Sequence, residues 1–372
     1  MIPYLILVFV PFIFYYISIT KNKGKLCINF GDSNEVKTKN LIIPVFFIIF
    51  VVLLALRDES IGRDIDKYKY YFEKLSRTDF VSLFESDWDI LYVILNWLVG
   101  RFTDSFQLFL AIVTIITVLP MALLYSQDRE NSSFKTMLFL NMPTFIMIFS
   151  GLRQSLAIGM GVVAYVMVRK KKPVLFVLFA LIAMGFHHSA YIVFLMYPLY
   201  HHPLKRKHLI FVVPAFLTVF VFNRQIFTSV TRLASMFFGE EEYLVTMDDN
   251  GAYTMVILFI IFAVFAYFIP DEEKMDEESL GLRNILVLSA TLQCFAPIYM
   301  IAMRMNYYFI ILVPIALSKI IKHSKSNLKE VAWIAKIIMI LFFMAYYLLN
   351  VYRGCRTGIS TLDTYPYVPF WK

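Results

Sequence analysis

The sequence predicts an all-α fold, a polytopic transmembrane helical bundle, and three observations carry that reading. Hydrophobic residues fill 59% of the 372 positions and charged residues only 17%, with a mean hydropathy of +0.68. So little polar surface cannot coat a soluble globule of this size, and lipid has to be the main solvent. Apolar runs recur along the whole chain and end in Lys/Arg clusters, as repeated helical crossings do, because backbone groups in hydrocarbon must be satisfied within the segment. The runs are continuous rather than alternating, which excludes a transmembrane barrel.

Taken in order, the candidate spans are residues 2–19, 41–56, 106–125, 136–149, 156–168, two short runs within 173–200, then 209–222, 253–268, 285–302, 307–321 and 331–352. That is about twelve spans in a single integral membrane domain covering 1–372. The first run has no basic segment before it and its positive charges follow it, which favours a retained helix over a cleaved leader and puts its start outside. The runs at 136–149 and within 173–200 are short enough to be tilted or re-entrant.

Orientation follows from the basic loops. Lys21, Lys23, Lys25, Lys37 and Lys39, then 169–172, 205–207, and finally Lys322, Lys325 and Lys329 belong on the cytoplasmic side. They share that side only if the run at 90–99 does not cross; it is half the length of a span and suits a helix lying in the interface. The same parity places 57–105 outside as a loop with interfacial helices. It also places outside the turns at 151–153, 187–188 and 303–306, a loop at 223–252, and the tail after 352. The acidic stretch 271–278 fits this scheme least well. The net charge of +8 is absorbed by topology, which excludes nucleic acid as a partner and leaves anionic membrane lipid. The three cysteines, Cys27, Cys294 and Cys355, are far apart and show no metal-ligand spacing.

Some residues on the outer side need a reason to be there. The segment Arg57, Gly62, Arg63, Asp64, Tyr68 begins where a membrane helix ends; it reads either as a solvated mixed-charge loop or as a turn, permitted by Gly62, that aims Arg63 and Asp64 at a ligand. Arg153 and Gln154 interrupt an apolar stretch, and Arg304 interrupts another just before Tyr307 and Tyr308; an arginine at the membrane needs a partner, a route to the surface or a task. His187 and His188 lie among Phe, Ala and Tyr. Adjacent positions on a helix point about 100° apart, so the pair is not expected to share a metal, and one oriented acid, base or donor is the expectation. Arg57, Arg63, Arg153 and Arg304 would put four fixed, bidentate cations on one face, a grip for phosphate or diphosphate.

These motifs resemble the EpsG-like, Wzy-type family of bacterial polysaccharide polymerases. The family's Arg, gap, Gly-x-Asp, Tyr and Phe match Arg57, Gly62, Asp64, Tyr68 and Phe72; its Arg-Gln matches Arg153 and Gln154; its His-x-Ser matches His187 and Ser189. Its Arg followed by Tyr-Phe matches Arg304, Tyr308 and Phe309, and the aromatic tail Tyr365-Pro366-Tyr367 also fits. Nearly the whole chain is covered in the right order. Arg63 departs from the pattern, which has a small residue there.

The resemblance implies a GT-C-like architecture in the bacterial inner membrane, its active face outward. It implies an O-antigen, capsule or exopolysaccharide polymerase that moves a growing glycan from undecaprenyl diphosphate to the nonreducing end of the next lipid-linked repeat unit, without metal or other cofactor. Arg153 and Arg304, with Arg57 and Arg63, would bind the diphosphate; Asp64 or His187 would be the base. Gln154, His188, Tyr68 and Tyr308 would complete the substrate site, and a chain-length regulator is a candidate partner. The competing readings are a lipid-linked glycan flippase or other transporter, which should show internal repeats that this sequence lacks, and an O-antigen ligase or membrane acyltransferase.

Overall fold

A computed structural model of the chain describes residues 1–21, 42–128, 130–202, 204–238, 253–299 and 302–372. The described residues are helical throughout, with two isolated β-bridges and no strand among them. They fall into two compact units, 1–194 with 334–372, and 195–333.

The first unit holds α1 (Ile2–Lys21), α2 (Ile42–Ala55), α3 (Ile65–Leu75), α4 (Ile90–Gly100), α5 (Phe106–Gln127), α6 (Ser132–Asn141), α7 (Pro143–Ser150), α8 (Leu152–Arg169) and α9 (Pro173–Phe186). Local chemistry sets several of these boundaries. Ser105 caps α5 by accepting the Leu108 N–H, and proline at the first turn starts α7 and α9, where its missing N–H costs nothing. The helix α2 packs on α1 and α5, α5 on α8, and α8 on α9. Gly159 permits the close α5–α8 approach, since a Cβ there would sit 2.9 Å from the Thr117 carbonyl oxygen. The interior is aromatic: Phe46, Phe47 and Phe50 of α2 meet Phe139 of α6 edge to face, and Phe50 stacks on Phe145 of α7. Such pairs add roughly 0.5–1.5 kcal/mol each beyond burial.

The second unit holds α10 (Met196–His201), α11 (Leu209–Val221), α12 (Asn223–Phe238), α13 (Tyr253–Phe268), α14 (Glu277–Gln293), α15 (Ala302–Ile310) and α16 (Val313–Lys322); α17 (Lys329–Thr357) follows, most of it in the first unit. Asp276 caps α14 by accepting the Ser279 N–H at 2.7 Å. The acids of 271–278, which fit the charge rule poorly, are largely paired: Glu272 with Arg283, Glu278 with Lys319 and Asp271 with Lys274.

Among the described residues two helices, Phe106–Gln127 and Ser326–Thr357, are long and apolar enough to cross a membrane, or up to four spans if each of two bent pairs counts as one. The expected number of about twelve is therefore not reproduced, for reasons visible in the chain. Several apolar stretches form helices of only 10–17 residues. The expected span 136–149 is divided at Pro143 into α6 and α7. The expected span 307–321 is bent by 44° between α15 and α16, where Pro314 opens the second helix, and α11 turns through 80° into α12. The stretch 223–252 was expected to be a loop, but its first half is helix α12; residues 239–252 lie outside those described, as do Cys27 and the lysines at 23, 25, 37 and 39. The segment 57–105 carries the short helices α3 and α4, with a 3-10 turn at Ser82–Glu85.

Candidate functional site

One carboxylate organises the most polar interior point of the first unit. Asp89 stands immediately before α4, and its side chain is only 8% exposed. Its Oδ2 accepts a hydrogen bond of 2.8 Å from Arg153 Nη1 and lies 3.4 Å from His187 Nδ1; its Oδ1 accepts the His188 backbone N–H at 2.9 Å and lies 3.5 Å from His188 Nδ1. Arg153 comes from the first turn of α8, and the histidines from the end of α9. Burial alone would raise the Asp89 carboxyl, but hydrogen bonds from His187 and His188 and the charges of His187 and Arg153 hold it well below the usual carboxylate range. Burial lowers the His187 pKa, and Asp89 opposes that effect.

Aromatic rings form the floor. The Arg153 guanidinium lies over Trp88, 4.4 Å from the ring centroid, and Trp88 lies against Tyr71 at 3.9 Å and Tyr68 at 5.4 Å. A guanidinium so placed gains cation–π attraction and cannot swing freely. Its Nε is buried without a hydrogen-bond partner, while the side chain as a whole keeps 25% exposure.

The histidine doublet departs from the helical expectation. The helix stops at Phe186, His187 has an extended backbone (φ −160°, ψ 119°), and both rings turn toward Asp89, 4.8 Å apart. Asp89, His187 and His188 thus offer three ligand atoms within 4.8 Å of one another, a donor set that suits a transition-metal ion. The Arg153 guanidinium on the same carboxylate works against that occupant, because both Asp89 oxygens already serve N–H donors and a cation would face a fixed positive charge.

The other expected residues are dispersed. Gly62 has φ +105°, and a Cβ there would sit 2.1 Å from the Phe149 carbonyl oxygen, so only glycine lets this turn press against α7. Asp64 follows at the start of α3, where it accepts the Ser150 hydroxyl at 3.5 Å and lies 3.9 Å from Lys67; it does not orient Arg63. Arg63 is half-exposed and pairs with Asp363 at 3.4 Å. Arg57 is 0% exposed; it donates to the Leu54 carbonyl, lies 5.8 Å from the Phe149 ring centroid, and has Nε and Nη2 buried without partners. The extended C-terminal segment covers it, with the Asp58 N–H donating to the Val368 carbonyl and the Phe370 N–H to the Leu56 carbonyl. Tyr68 and Gln154 are buried, Tyr68 packing on Trp88 and Tyr92. Arg304 and the buried Tyr308 lie one turn apart on α15 of the second unit. Sequence reasoning missed Asp89 and Trp88; the available signal was an acid directly before an apolar helix, within two residues of another, on the side where the arginines and histidines were expected.

An apolar, all-helical chain with a carboxylate, a guanidinium and two imidazoles gathered at helix ends is a helical membrane protein with a polar site. The family model described as EpsG family matches residues 40–368, and the chain belongs to that family. No curated protein and no solved structure matches it.

Proposed function

We propose that the chain is a glycosyltransferase that polymerises lipid-linked oligosaccharide repeat units, an exopolysaccharide, capsule or O-antigen polymerase working at the outer face of a bacterial inner membrane. Membership of the EpsG family supports the class of product. The observation that carries the chemistry is a fixed cation and an imidazole held on one carboxylate. In the reaction, the hydroxyl oxygen at the nonreducing end of one repeat unit forms a bond to the anomeric carbon of the growing glycan. The bond from that carbon to the undecaprenyl diphosphate breaks, and its electron pair leaves on the diphosphate oxygen. Arg153 faces the charge that develops there, an electrostatic role that fixed donors perform well in a dry site. His187 takes the hydroxyl proton; Asp64 is the weaker candidate, since Ser150 and Lys67 already engage it.

The deciding experiment is a cell-free assay of the purified chain in detergent with the native lipid-linked repeat unit. A ladder of lengthened glycans is expected. A chain that lengthens nothing there but moves intact lipid-linked units across vesicle bilayers is a transporter, and the proposal then fails.

A further inference from the structure

The geometry points to Asp89 as the positioning residue of this site: one carboxylate aligns the Arg153 guanidinium and fixes the His187 imidazole with its proton on Nδ1, leaving the Nε2 lone pair to take the acceptor proton. The inference rests on the polymerase reading for its reaction, while the arrangement itself stands on the structure.

Local sequence gives Asp89 a simpler occupation. It precedes α4, where an aspartate ordinarily accepts a backbone N–H of the first turn, yet its side chain makes no such bond. The carboxylate turns instead to groups 64 and 98 residues away in the chain. Packing enforces this choice. Leu91 of α4 presses on Gly185 of α9 so closely that a Cβ at 185 would lie 2.6 Å from its Cδ1, which brings the start of one helix to the end of the other. Trp88 and Tyr68 hold the guanidinium from below. The charged and titratable groups facing His187 are Asp89, Arg153 and His188.

A carboxylate at Nδ1 selects one imidazole tautomer and stabilises the imidazolium formed when Nε2 gains a proton. The same carboxylate, shared with Arg153, ties the base to the cation that meets the leaving group. Neither oxygen of Asp89 needs to touch substrate.

The test uses the full chain in detergent and three measurements. First, nitrogen-15 NMR of histidine-labelled wild-type protein, with His187 assigned by His187→Gln, is expected to show the Nδ1–H tautomer; an Nε2–H tautomer overturns the inference without any Asp89 variant having to fold. Second, polymerisation is followed against pH. Asp89→Asn is expected to lose about 10²-fold or more in kcat and to move the acid limb of kcat/KM to lower pH, because Asp89 raises the His187 pKa. Asp89→Glu, which keeps the charge, should hold the limb near its wild-type position. A plateau that falls in Asp89→Asn with an unmoved limb assigns the residue a purely structural role and overturns the inference. Third, activity abolished by a chelator and restored by Zn²⁺ makes the imidazoles metal ligands and likewise overturns it. If the wild-type chain elongates nothing, the polymerase reading fails, and the tautomer measurement still decides whether Asp89 positions His187.

Discussion

The two units each contain an acid that grips an arginine lying over an aromatic ring, and the two constructions differ in what surrounds them. In the second unit Arg283 pairs with Glu272 at 2.8 Å, lies 4.4 Å from the Tyr267 ring centroid, and donates to the Leu204 carbonyl. Arg206 closes the arrangement, its backbone N–H on Glu272 and its guanidinium on the Tyr267 and Pro270 carbonyls. Arg283 is 0% exposed, so this pair clasps α14 to the segments at Leu204 and Glu272. In the first unit Arg153 keeps partial access, its acid also serves two imidazoles, and His188 is 63% exposed. The same acid–arginine–ring unit is a fastening where backbone carbonyls complete it. Where ring nitrogens take their place and solvent can reach it, it offers the groups that the proposed reaction needs.

Breaking the arginine of each unit should separate the two roles. Arg153→Ala is expected to abolish polymerisation, a loss of at least about 10²-fold of the kind seen when a fixed charge-stabilising donor is removed, at normal yield and a monodisperse elution profile. Arg153→Lys should also be poor, since an ammonium offers only a point charge. Arg283→Ala should do the reverse. It removes the cation from Glu272, which is largely buried and keeps only the Arg206 backbone N–H, and should lower stability by roughly 3–5 kcal/mol, read as a fall in the thermal midpoint, with turnover per folded molecule retained. A normal midpoint in Arg283→Ala combined with loss of turnover would erase the distinction between clasp and site.

The acid limb of stability sharpens the same contrast. Burial favours neutral His187, so its folded pKa lies below its unfolded value near 6.5. Its contribution is complete above that value and is lost as pH falls from there toward the folded pKa. Asp89, held low, contributes above its unfolded value of about 3.9 and loses that contribution only as pH falls through its lower folded pKa. The wild-type midpoint should therefore begin to fall below about pH 6.5, and His187→Gln should flatten that first decline while leaving the deeper acid loss in place. The smallest effect belongs to the pair outside both arrangements: Arg63 and Asp363 are more than half exposed, and Arg63→Ala should change stability by less than about 1 kcal/mol in denaturant titration.

Much of this could be read from the chain before folding. The all-helical class, the short helix at 90–99, the turn at Gly62 and the choice of Arg153 and His187 as candidates all follow from runs, punctuation and charges misplaced in apolar surroundings. What escaped depends on contacts between distant segments. Asp89 reads as an ordinary helix-starting acid until α4 meets α9. The two histidines were expected to diverge because a helix was assumed through them, and it ends one residue earlier. Arg57 reads as a diphosphate-binding cation on the outer face, and it is buried where residues about 310 positions later pair with its neighbours. The described residues offer fewer spans than about twelve, because hydropathy measures how apolar a stretch is and is blind to the breaks at Pro143 and between Ile310 and Val313.

The docking of the C-terminal segment has a consequence for the timing of synthesis. The N–H groups of Gly62 and Arg63 donate to the carbonyls of Asp363 and Leu362, and Asp58 and Phe370 exchange similar bonds with Val368 and Leu56. Ribosomes add about 5–20 residues per second, so the Gly-x-Asp turn waits roughly 15–60 s for its partners to be made. Through that interval Arg57 and the turn are uncovered, open to membrane quality-control proteases and to chaperones. A nascent chain halted before residue 360 would display that uncovered turn, and its fate in the cell would then be set by surveillance rather than by catalysis.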